Sequence, residues 1–317
     1  MVTSARESFA AFLNEAWAYL SSQEHGAQDE RVTVPTVLRV LYGLASAPND
    51  PHTVKDIVSP PRLYEDMIEY VTATVPWRIV MQTVDKPWKD ISESRGALVE
   101  AYRALAAGGP LPAGDQETAR NLPASYLHVY PRDAVYGNWR IGINVRPRGM
   151  AQAVRTLAPL LDGKSNIAHI KFMGPGGAAK CDSALIYLAR TADHDASRAR
   201  IVELAQTLDV EPTVARMWEE IAPGIAEAGE PPKTHGLYAS FTAYRCLVVY
   251  LAYREYTRRY DEPDLARFQD FLRIVMPLFG LDFDAPHIQA AVPEQLESPQ
   301  SRGYLDAYLA LKKAWMS

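Results

Sequence analysis

Between residues 125 and 188 the chain stops spacing its apolar residues by threes and fours and alternates them in twos. "SYLHVYPR" and "NWRIGINVRP" read as strands. "GMAQAVRTLAPLLDG" reads as a short helix with Ala153, Val154, Leu157, Leu160 and Leu161 along one side and a stop at Gly163. "NIAHIKFMG" and "SALIYLAR" read as strands again. A strand–strand–helix–strand–strand block joined mostly by short connections favours antiparallel neighbours. Helical periodicity lies on both sides of it. Phe9, Phe12, Leu13, Ala16, Trp17 and Leu20 form one stripe, and Val37, Leu38, Val40, Leu41 and Leu44 a second. "SPPRLYEDMIEYVTATV", opening at Ser59 with Pro60 and Pro61 in its first turn, and "SESRGALVEAYRALAAGG" read as two more helices. The fold class expected is therefore α+β: a small, mainly antiparallel sheet flanked by helices, with a helical N-terminal part.

"GGPLPAGDQET" breaks all periodicity and reads as a loop or linker. It divides a helical part, residues 1–110, from a second part, 120–317. Beyond the sheet block the chain reads as helical to its end: "ASRARIVELAQTL", "TVARMWEEIA", "SFTAYRCLVVYLAYREYTRRY" with Ser240 as its N-cap, and further helices near 264–279 and 303–315.

Composition narrows the function classes. A net charge of −5 gives no bulk attraction to nucleic acid or to an anionic membrane. A phosphate ligand would have to be held locally. The two cysteines, Cys181 and Cys246, are far apart and form no metal-type cluster. The N-terminus lacks the apolar core of a signal peptide, and no run approaches the length of a membrane span. A cytoplasmic protein without metal or cofactor is expected.

The sheet block carries the cations. His169 and Lys171 are two apart and share a strand face. Arg140 alternates with Trp139 and Ile141, and His128 lies two residues before Tyr130. Lys180 and Asp182 share a parity ahead of the last strand. One reading is a cationic site for an anion; the other is a set of solvated residues on an open sheet face. The "GPGG" turn has neither phosphate-loop nor dinucleotide spacing. No G-x-S-x-G, H-E-x-x-H or EF-hand pattern occurs, and nucleophilic catalysis is poorly supported.

"WRIGINVRPRGMAQAVRTLAPLL", "IAHIKFMGP", "KCDSALIYL" and "PPKTHGLYASFTAYR", in that order, resemble the HopA-type effector family, over roughly residues 125–260. Members of that family occur in plant-pathogen type III secretion and in biosynthesis of class V lanthipeptides and thioamitides. The order is more distantly similar to phosphothreonine lyases and to the lyase domain of class III lanthipeptide synthetases. The resemblance implies a HopA-like lyase domain over 120–317, in which phosphorylated Ser or Thr of a ribosomal precursor peptide loses phosphate to give dehydroalanine or dehydrobutyrine. It implies Lys171 as the base. Arg140, Lys180 and Arg245 are then the cations that hold the phosphate. The sequence departs from the distant lyases at one point: Gly142 stands where they carry a histidine acid. His128 is the nearest substitute, with His169 and Tyr130 behind it and Asp182 a further possible site residue. With no kinase motifs in the chain, a separate kinase-like partner would supply the phosphopeptide. The alternatives are a non-catalytic phosphopeptide-binding partner of a kinase and a secreted effector acting on host phosphoproteins.

Overall fold

A computed structural model describes residues 4–22, 30–46, 78–82, 89–90, 126–131, 136–161, 166–173, 181–299 and 301–316, with backbone alone for 30–32, 78–82, 89–90 and 147. The helices expected over 59–75 and 92–109, the loop at 108–118, the "GPGG" turn and Lys180 lie outside these residues.

The chain divides into two compact units. One comprises Met1–Ala47, Ala215–Glu219 and Ala228–Ser317; the other comprises Pro48–Val214 and Glu220–Glu227. These units cut across a division near residue 110. The reason is visible in the first unit. Helices α1 (Ala5–Ser22) and α2 (Glu30–Ser46) bury their apolar stripes among C-terminal helices rather than forming a core of their own. Helix α5 (Phe241–Thr257) is the centre of that unit, packed by α2, α6 (Leu265–Leu278) and α7 (Arg302–Met316). Most of its circumference is buried, as an all-round apolar helix requires. Ser240 caps it, its hydroxyl accepting from the Ala243 N–H at 3.4 Å. Trp17 of α1 stacks on Phe268 of α6 at 5.3 Å and meets Tyr253 and Tyr256 of α5 edge-on.

The second unit is built on the sheet, ordered β2-β1-β3-β5-β6-β4-β8-β7. The strands are β1 (Arg78–Gln82), β2 (Lys89–Asp90), β3 (Tyr126–Tyr130), β4 (Trp139–Ile143), β5 (Ile167–Met173), β6 (Ala184–Leu188), β7 (Glu219–Ala222) and β8 (Ile225–Gly229). β1 pairs antiparallel with β2 and β3, β3 with β5, β5 with β6, and β6 with β4. Helices α3 (Met150–Leu157) and α4 (His194–Ala205) pack on each other in this unit.

Register gathers the apolar core on one face of the sheet. Val129, Ile170, Ile186 and Ile141 lie directly opposite one another across four strands, as do Leu127, Phe172, Ala184 and Ile143. All eight are 2% exposed or less. They are the apolar half of the two-residue alternation. The intervening residues occupy the other face.

One expectation is corrected. The N-terminal part is helical at α1 and α2 and adds a strand, Arg78–Gln82, that pairs with β3 over its whole length. "TVARMWEEIA" is not a helix: Met217 has φ 67°, and Glu219–Ala222 is strand β7. Glu and Ala favour helix, but Pro223 and Gly224 interrupt the run. Glu219–Ala222 buries alternate residues instead, and Ile225–Gly229 buries all but Glu227. Gly224 holds the turn at φ 71°, and a Cβ there would sit 2.2 Å from the Glu211 carbonyl oxygen. Gly224→Ala is expected to lose at least about 2 kcal/mol in chemical denaturation.

The exit of β4 is pinned by the sequence's own motif residues. Asn144 is fully buried, and its side-chain amide donates to the Thr213 carbonyl at 2.8 Å. Ser183 Oγ donates to the Val145 carbonyl at 2.9 Å. Arg146 pairs with Glu211 at 2.7 Å, and Arg148 with Asp209 at 2.7 Å.

Candidate active site

On the non-core face, two cross-strand rows carry the chemistry. In the first, His128 of β3 lies opposite Lys171 of β5, which lies opposite Leu185 of β6, which lies opposite Gly142 of β4. In the second, Arg140 of β4 lies opposite Tyr187 of β6, and Tyr187 lies opposite His169 of β5. Tyr130 of β3 extends that row, stacked on His169 at 4.7 Å between ring centres. His128, Lys171, Arg140, His169 and Tyr130 therefore share one face; strand parity alone pairs only His169 with Lys171 and His128 with Tyr130.

Lys171 is half-buried, and its Nζ stands 3.5 Å from the centre of the Tyr126 ring. That contact favours the ammonium form. The Arg140 guanidinium stands 5.2 Å from the Tyr187 ring centre. His169 is stacked on Tyr187 at 4.0 Å with 10° between the planes. Arg140 and Lys171 are two strand spacings and two residues apart, about 12 Å between Cα atoms from strand geometry. Arg140 is 6% exposed, and the Lys171 ammonium is directed toward β3, on the side of β5 away from Arg140.

His128 is only 2% exposed. Burial, then the neighbouring Lys171 ammonium, then His169, hold its pKa well below 6.5. The imidazole is neutral at physiological pH, which opposes the acid role expected for it. Nor does it replace the missing histidine in space. Gly142 lies two strand spacings from Lys171, about 10 Å, and His128 lies one spacing away on the opposite side, about 5 Å.

The sign of the resulting pH effect is determined by that depression. Below pH 6.5 the unfolded chain takes a proton at His128 and the folded chain does not. Stability therefore falls as pH drops from 6.5 toward the folded pKa, by about 1.4 kcal/mol per pH unit for this one group. His128→Asn is expected to flatten that part of the stability–pH curve in urea titrations.

The remaining expected site residues are placed differently. Asp182 precedes β6, half-buried, in the parity of Ala184 and Ile186 rather than of Tyr187. Together with burial, its carboxylate raises the Cys181 thiol to about 12. Arg245 belongs to the helical unit, is 1% exposed, and donates from Nε to the Pro286 carbonyl at 2.7 Å. Its guanidinium also lies 3.7 Å from the Phe241 ring centre. These contacts build Arg245 into its own unit. Both cysteines are free and buried, with thiol pKa values raised by desolvation, so neither is an activated nucleophile. Among the described residues no group of three or more His, Cys, Asp or Glu side chains is placed to hold a metal ion. No described helix is long and apolar enough to cross a membrane.

Tyr126 and Tyr187 were missed at the sequence level. Their signal was available: each shares strand parity with a site residue, Tyr126 with His128 directly and Tyr187 with Arg140 through register. Register is a property of pairing between strands, and the one-dimensional pattern does not contain it.

No protein-family model matches the chain, and a search of curated proteins finds no match. Its fold is similar to that of two solved effector proteins. The effector from Pseudomonas syringae pv. tomato strain DC3000 aligns with a TM-score of 0.56 at 16% identity, covering 90% of this chain and 99% of that one. The effector from Pseudomonas syringae pv. syringae strain 61 aligns with a TM-score of 0.54 at 15% identity, covering 92% of this chain and 100% of that one.

Proposed function

We propose that the protein is a HopA-like phosphoserine/phosphothreonine lyase that eliminates phosphate from a phosphorylated ribosomal precursor peptide, in the setting of lanthipeptide or thioamitide biosynthesis. The observation that carries the reading is the shared face of Lys171 and Arg140, opposite an apolar core. The motif order supports it, as does the fold shared with bacterial effectors.

The reaction needs three things. A base takes the Cα proton; the electron pair of that bond becomes the Cα=Cβ bond; the Cβ–O bond breaks, and phosphate leaves with its pair. Lys171 Nζ is assigned as the base, reactive when neutral. Arg140 is assigned to the phosphate, whose near-double negative charge a guanidinium fork holds through two hydrogen bonds. Lys180 is proposed as a second phosphate cation. No cofactor is required by this chemistry. A separate kinase-like protein in the same cytoplasm would supply the phosphopeptide. The direct test is incubation of the purified protein with such a peptide and mass spectrometry for loss of phosphoric acid.

Arg140→Ala is expected to weaken phosphopeptide binding by about 10- to 100-fold, the loss of a charge-assisted pair. Arg140→Lys should recover only part of it, because a point charge does not reproduce the fork. Isothermal titration with phosphorylated and unphosphorylated peptides checks both.

A second reading, non-catalytic phosphopeptide binding, is favoured by the Tyr126 ring beneath Lys171, which stabilises the charged and therefore unreactive lysine. It predicts tight phosphopeptide binding with the bound peptide recovered unchanged. The resemblance to secreted effectors supports a third substrate class, folded host phosphoproteins, which a side-by-side assay against short peptides separates from the first.

A further inference from the structure

We propose that His169, and not His128, hands the proton to the departing phosphate oxygen. This rests on the lyase reading above and supplies the acid that Gly142 leaves missing.

The geometry of the second row carries it. The His169 ring is held between Tyr187 at 4.0 Å and Tyr130 at 4.7 Å, with 10° and 22° between planes. Both faces of the imidazole are covered, so the edge bearing the nitrogens is what it can present to a ligand. The side chain is half-buried, whereas His128 is 2% exposed. Tyrosine faces are electron-rich, and two of them flanking one imidazole stabilise its cation. His169 also neighbours both groups assigned to substrate. Lys171 is two residues along the same strand face. Arg140 lies beyond Tyr187, 5.2 Å from that ring.

The charged and titratable groups facing His169 are Lys171 on its own strand, His128 and Tyr130 on β3, Tyr187 on β6, and Arg140 on β4. In the empty site, Lys171 and Arg140 oppose a third cation. A phosphate dianion seated beside them offsets that repulsion. In the step itself, the His169 N–H bond breaks and an O–H bond forms on the leaving group, which departs as hydrogen phosphate. Lys171 takes the Cα proton at the other end. Loss of that proton to water and uptake of one at His169 close the cycle, with no oxidant or reductant involved.

The test is the pH dependence of kcat/KM on one phosphopeptide, for the wild-type chain and for His169→Phe. Phenylalanine preserves both stacking contacts and removes the proton. The wild-type profile is expected to be bell-shaped. His169→Phe should lower the rate by about 10²- to 10⁴-fold and lose the falling alkaline limb that reports the acid. A rate within about threefold of wild type overturns the proposal, as does a lower rate with an unchanged bell. In His169→Gly, which opens the slot between the two tyrosines, added imidazole should restore turnover in proportion to its protonated fraction. Failure of that rescue in a variant that melts like the wild type also overturns it. A wild-type chain that eliminates no phosphate overturns the lyase reading and this proposal together. An active wild type with an equally active His169→Phe overturns this proposal alone.

Discussion

Lys171→Ala is expected to lower elimination from a phosphopeptide by about 10²- to 10⁴-fold, the contribution typical of a positioned base. Phosphopeptide affinity should fall by much less, because Arg140 and not Lys171 is assigned to the phosphate. Global stability should change little: the lysine is half-buried on the non-core face, and its contact with Tyr126 is worth about 0.5–2 kcal/mol. Steady-state kinetics, titration calorimetry and a melting curve separate the three effects. A parallel collapse of binding and turnover would instead make Lys171 a phosphate ligand.

The neighbouring residue on the same strand should behave in the opposite way. Phe172 points to the core face, is 0% exposed, and sits between Leu127 of β3 and Ala184 of β6. Phe172→Ala is expected to cost about 3–5 kcal/mol, from lost burial and the cavity left behind. Loss of activity should then follow loss of folded protein, and activity per folded molecule should stay near wild type at a temperature where the variant remains folded. Adjacent positions with opposite phenotypes are what the alternation of faces along a strand predicts.

How much of this was legible before the structure depends on which interactions decide each element. The strands β3 to β6 and the helices α1, α2, α4, α5, α6 and α7 follow from the local spacing of their own apolar residues. Strand β7 did not follow. "TVARMWEEIA" has helix-favouring residues, and only pairing in the sheet, behind the Pro223–Gly224 turn, makes Glu219–Ala222 extended. The union of the N-terminal and C-terminal helices in one unit was hidden for a similar reason: an apolar stripe says that a helix packs, not against what.

The site divides the same way. Parity along single strands brought His169 together with Lys171, and His128 with Tyr130. The partnership of His128 with Lys171, and of Arg140 with Tyr187 and His169, needed the β3–β5–β6–β4 register. The charge state of His128 needed more still. Nothing local marks it as neutral; its burial and the ammonium across the strand do. Arg245 shows the converse. The family resemblance implies it as a phosphate cation, yet its Nε and aromatic contact are made within the helical unit.

The central claim is elimination, and one measurement tests it most directly. The purified full chain is incubated with a phosphoserine- or phosphothreonine-containing precursor peptide and the product is weighed by mass spectrometry. The account predicts a peptide lighter by one phosphoric acid at the phosphorylated residue, with free phosphate released in equal amount. A phosphopeptide that binds through Arg140 and is recovered intact, with its kinase present, would contradict it.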